Sequence, residues 1–170
     1  MNKKLRIFWI SGFFFTCILG TLLHFFYDFT GQNPVAGLFS PVDESTWEHL
    51  KMLFFPSLVW TIAGALVFEK RQKGLLWSCT IGICTGLAAI VTVFYTYTGI
   101  LGFNLLVLDI LTFYFGVFTV YFTAARCLKK EREHTQGWQI FLSVLILLLF
   151  ALLFFLFTRA KPPIGLFQNP

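Results

Sequence analysis

Charge is what this 170-residue sequence has least of: only 12% of its residues are Asp, Glu, Lys or Arg. A soluble domain carries roughly 25%. With 57% hydrophobic residues and 23 Phe, the chain exceeds what one water-surrounded core of this size can hide. Lipid solvates such side chains instead. Close cysteine pairing is also absent. Cys17, Cys79, Cys84 and Cys127 form no CxxC motif and lie within or at the ends of apolar runs, which argues against a thiol oxidoreductase. No GxGxxG, P-loop, HExxH or GxSxG motif occurs, so the usual nucleotide, zincin and hydrolase signatures are missing. A net charge of +5 does not point to nucleic acid, because the basic residues sit in short clusters between apolar runs.

What is present is five apolar runs, at residues 5–26, 51–68, 75–98, 105–125 and 138–158. Each approaches the ~20 helical residues that cross a bilayer core. The runs are continuous rather than alternating, which excludes a barrel. The expected architecture is therefore an all-α, polytopic transmembrane bundle of five spans, forming one domain over residues 1–170. Lys3, Lys4 and Arg6 before the first run resemble a signal peptide. No small-residue cleavage site follows, so this run reads as a retained span.

The basic residues give the bundle a direction. Ten of the 13 Lys and Arg flank one end: Lys3, Lys4 and Arg6; Lys70, Arg71 and Lys73; Arg126, Lys129, Lys130 and Arg132. Only Lys51, Arg159 and Lys161 flank the other. The positive-inside rule then predicts a multi-pass protein of the cytoplasmic membrane, N-terminus inside and C-terminus outside. Small and polar stripes, Ser78, Gly82, Gly86 and Ala89 on the third span and Asp109, Thr112, Gly116, Thr119 and Thr123 on the fourth, predict close packing at the bundle centre. The fifth span carries little polarity and reads as lipid-facing.

With this orientation, Asp28, Asp43, Glu44, Glu48 and Asp109 gather in one outer layer with His24 and His49. The segment from Ser40 to Lys51 is the densest part. Ser40 can cap a helix, Pro41 suits its first position, and Asp43 completes an S-x-x-D box. A helix is thus expected from Ser40 outward of the second span, kinked where Pro56 removes the bond to the Met52 carbonyl. On that helix Glu44 and Glu48 share a face, with Lys51 three residues on; His24 and Asp28 repeat the four-residue spacing. Neighbouring carboxylates repel, so Lys51, a shared proton or a cation should offset them. A divalent metal such as zinc, manganese or iron suits a set drawn from His24, Glu44, Glu48, His49 and Asp109. A salt-bridge and capping network, or an acid–base site, would use the same residues. Asp109, inside a span, needs a partner, with Lys51, His24 or His49 as candidates; Trp47, Tyr97 and Asn104 stand nearby in support. Gly37-Leu-Phe-Ser-Pro41 is echoed by Gly165-Leu-Phe-Gln-Asn-Pro170, two Leu-Phe tips suited to the lipid interface or to plugging the outer mouth.

The stretch Pro41-Val-Asp-Glu-Ser-Thr-Trp-Glu-His-Leu-Lys51 resembles the P-V-N-E-S-x-W-E-H-x-K segment of a family of small bacterial multi-pass membrane proteins of unknown function. Asp43 replaces the more usual Asn, and residues 162–170 are similar as well. The resemblance implies membrane location and no activity. It marks Glu44, Trp47, Glu48, His49 and Lys51 as characteristic of the class. Three functions fit: a protein that binds or transports a cation or small polar ligand, a metal-dependent hydrolase or transferase acting on lipid head groups, or a structural accessory subunit. Whether the chain is an enzyme stays open. The bilayer is the one partner the sequence requires.

Overall fold

The computed structural model describes residues 3–68, 72–131 and 137–169, which are helical with no strand among them. Five long helices run as α1 (Lys3–Phe29), α3 (Thr46–Phe68), α4 (Leu75–Leu101), α5 (Leu106–Glu131) and α6 (Gly137–Arg159). Each is long and apolar enough to cross a membrane. The short α2 (Ala36–Phe39) lies between α1 and α3, and a 3-10 turn, Gly165–Phe167, follows α6. The expected five-helix bundle is therefore what forms. Lys70, Arg71 and Arg132, which entered the count of basic residues, lie outside the described residues. The end where α1, α4 and α6 finish and α3 and α5 begin is called the polar end below.

The start of α3 differs from expectation. Ser40 ends α2 instead of opening a helix: its N–H and its hydroxyl both donate to Ala36 O, at 3.0 and 2.8 Å. Pro41 then does what proline does just past a helix end, preventing continuation. The helix begins at Thr46, where the Ser45 hydroxyl accepts the Glu48 N–H at 3.4 Å and Asp43 Oδ1 accepts the Ser45 N–H at 3.0 Å. The sequence offers two boxes in succession, and the second one caps.

Pro56 sits inside the continuous α3. Its missing N–H frees the Met52 carbonyl, and α1 comes to that carbonyl through Gly20, where an added Cβ would lie 2.5 Å from Met52 O. The same logic joins α4 to α5. A Cβ at Gly82 would lie 2.4 Å from Val120 O, and one at Gly86 would lie 2.9 Å from Gly116 O. The small-residue stripes thus serve backbone approach. The centre of the bundle, however, is α3, buried almost all round from Thr46 to Ser57. α6 is the least covered helix. Even so, it is not purely lipid-facing: Phe154 is fully buried, with its ring centroid 4.8 Å from that of Trp47 and 5.1 Å from that of Phe54.

Candidate functional site

The polar layer divides into three groups, each built by a different set of elements. The first is an ion pair inside the protein. Glu48 and Lys51 lie on consecutive turns of α3 and are both fully buried. Lys51 Nζ donates to Glu48 Oε2 at 2.6 Å, Gly37 O at 2.8 Å and Ser40 O at 3.3 Å, which uses all three ammonium protons. Glu48 Oε2 also accepts the Val42 N–H at 3.1 Å. The Thr158 hydroxyl stands 3.3 Å from Glu48 Oε1, but its single proton is shared with Phe154 O at 2.7 Å. This group ties α2, the 40–45 turn and α6 to the start of α3. It has little capacity left for a ligand.

The second group faces outward from the same helical turn. His49, half-buried, points its Nδ1 at Ser45 O at 3.0 Å. A carbonyl only accepts, so Nδ1 carries the proton and Nε2 presents its lone pair when the ring is neutral. That Nε2 is 3.4 Å from Glu44 Oε2. His24 completes the group from α1: its ring centroid is 5.2 Å from that of His49, and its Nδ1 is buried with no hydrogen-bond partner among the described residues. One donor atom each from His24, Glu44 and His49 lie within 4.8 Å of one another. Asp28, one turn beyond His24, is exposed.

The third group is built by the end of α4 and the start of α5. Asp109 accepts hydrogen bonds from the Tyr97 hydroxyl and, at 3.3 Å, from Asn104 Nδ2. Its partners are therefore these neighbours on α4 and the α4–α5 turn, in place of the expected Lys51, His24 or His49. The single expected cluster is corrected on two further counts. Glu44 and Glu48 do not share a helical face, because Glu44 precedes the helix and Glu48 turns into the core. Trp47 does not join the histidines, since its ring packs on Phe154, Phe157 and Phe167.

That last contact resolves the role of the second Leu-Phe tip. Phe167 is buried against Trp47 and Phe157, so the segment after α6 closes over the bundle. Lys161 adds an ion pair to Asp43, and partial burial lowers its pKa from the ordinary lysine range. Sequence reasoning missed Thr158, the Val42 N–H and the Gly37 and Ser40 carbonyls. Backbone groups leave no trace in a sequence, and only the Ser45-x-x-Glu48 box was there to be found.

A family model matches the whole chain, residues 1–170. The chain belongs to a family of unknown function (DUF6512). No curated protein and no solved structure matches it. Family membership therefore adds no activity to the geometry above. What the chain can do has to be argued from its own three groups.

Proposed function

We propose that this membrane protein binds a divalent transition-metal cation of the zinc class at its polar end, through His24, Glu44 and His49. One observation carries the reading: these three side chains bring donor atoms within 4.8 Å of one another. The chemistry of the set supports it. Two imidazole nitrogens and a carboxylate oxygen are a common zinc set, and two ligands on one tetrahedral zinc stand about 3.3 Å apart. The His49–Glu44 pair is already at 3.4 Å. The Ser45 carbonyl at Nδ1 is the outer support that a metal-bound histidine normally has. Without a cation or a proton between them, the His49 lone pair and the Glu44 carboxylate would face each other unfavourably.

Three protein ligands leave a coordination position for water or another ligand, the pattern of open rather than purely structural sites. For this reason metal-assisted chemistry on a lipid head group remains the second reading, resting on the same residues. Elemental analysis and zinc titration of the purified full-length protein test the first. The expected result is one equivalent of metal, lost in His24→Ala and in His49→Ala. Absence of uptake from zinc, manganese or iron(II) salts, or uptake indifferent to both substitutions, would overturn it.

A further inference from the structure

A cavity of about 520 Å³ opens at the polar end between Thr46 at the start of α3, the last turns of α4, the α4–α5 turn and the segment after α6. Its size lies within the range of about 300–1,000 Å³ typical of small-ligand sites. No charged side chain lines it among the described residues. A ligand with a net charge would lose hydration there without meeting a counter-charge. What does line it is chemically consistent. Phe94, Tyr95 and Phe103 supply rings, and Asn104, Gln168 and Asn169 supply carboxamides.

A carboxamide offers two donors and an acceptor on one rigid plane, so it matches neighbouring hydroxyl groups, each of which both donates and accepts. Aromatic faces match the C–H surfaces that such molecules also present. One carboxamide is held in place. Asn104 Nδ2 donates to Asp109 Oδ2 at 3.3 Å, and the Tyr97 hydroxyl binds the other oxygen of that carboxylate. The orientation leaves Asn104 Oδ1 as an acceptor. The Thr98 hydroxyl, also in the lining, donates to Phe94 O at 2.8 Å and keeps its lone pairs as acceptors. The exposed side-chain amides of Gln168 and Asn169 add donors to those of the Tyr95 and Thr46 hydroxyls. Asp109, costly within a span, thereby acquires a purpose: it sets the Asn104 amide.

We propose that this cavity binds a neutral polyhydroxylated ligand of the hexose type, as a free sugar or as the head group of a glycolipid. The cavity lies where α4 ends at Gly102, which places it at the level of a membrane's polar surface.

The test uses the full chain in phosphatidylcholine nanodiscs, because sugar-headed detergents would occupy the site. Glucose, galactose and maltose are titrated calorimetrically. In parallel, native mass spectrometry scores retention of diglucosyl diacylglycerol against phosphatidylglycerol. Binding of a free sugar, or preferential retention of the glycolipid, supports the proposal and identifies the source. Gln168→Ala and Phe103→Ala, both at the cavity surface, are expected to weaken binding at least fivefold. His49→Ala is expected to leave it unchanged while removing metal uptake, so the two sites stand or fall separately. No binding in either arm, phosphatidylglycerol retained as well as the glycolipid, or sugar binding insensitive to both cavity substitutions would overturn it.

Discussion

Glu48 and His49 are consecutive residues with opposite surroundings. Glu48 is fully buried, holds Lys51 and accepts a backbone N–H, and so spends its charge on joining α2, the 40–45 turn and α6 to α3. His49 is half-buried, anchored at one nitrogen by Ser45 O, with the other facing a carboxylate and a second histidine. The contrast separates two uses of polar residues at a membrane protein's mouth. A charge whose every partner is supplied by the fold is a structural element. A donor set that the fold pairs only in part is where the proposed cation would bind.

The largest effect should come from breaking the buried side of this comparison. Lys51→Ala strands the Glu48 carboxylate, at a cost of about 3–5 kcal/mol, measured by thermal or denaturant unfolding in micelles. Replacing both partners, as Glu48→Met with Lys51→Met, should recover only part of that loss, because the Val42 N–H and the Gly37 and Ser40 carbonyls lose their partners. If the double variant is no better than the single one, the stranded charge is not what destabilises Lys51→Ala. On the outward side, His49→Ala should weaken zinc binding about a hundredfold or more, about 2.7 kcal/mol. Metal-free stability should fall by about 1 kcal/mol, the worth of the hydrogen bond to Ser45 O. Zinc should then raise the unfolding temperature of the parent protein and not that of the variant.

Smaller changes sharpen the boundary between the two groups. Thr158→Val removes a hydroxyl that donates mainly to Phe154 O at 2.7 Å and only weakly toward Glu48 Oε1 at 3.3 Å, and should cost about 1 kcal/mol or less in the same unfolding assay. A larger loss would mean that Glu48 Oε1 depends on α6 more than a 3.3 Å contact implies. Lys161→Ala breaks the partly exposed pair with Asp43 and should cost about 0.5 kcal/mol, fading in high salt. Neither substitution is expected to alter zinc binding, because neither residue belongs to the histidine group.

The fold was more legible than the site. Four of the five expected spans lie within helices that begin before or end after them, and α5 starts one residue later than expected, at Leu106. The glycines at 82, 86 and 116 are where the α4–α5 contact needs them. The helix start was misread because Ser40-Pro41 and Ser45-Thr46 both carry start signals. The choice depended on α2, whose last carbonyls Ser40 and Lys51 satisfy. His24, Glu44 and His49 were all named from the sequence. That they meet, and that Glu48 and Asp109 do not join them, could not be read there.

Apolar run length and continuity are local properties, and they alone determined that the chain forms five long helices able to cross a membrane. Tertiary structure decided how the polar layer is shared out. The partners of Glu48 and Lys51 are a hydroxyl 110 residues away and backbone groups of a turn, and those of Asp109 lie on the neighbouring helix and turn. Charge lets several pairings compete at this end of the bundle. Only packing, which turns Glu48 inward and His49 outward on one helical turn, selects among them.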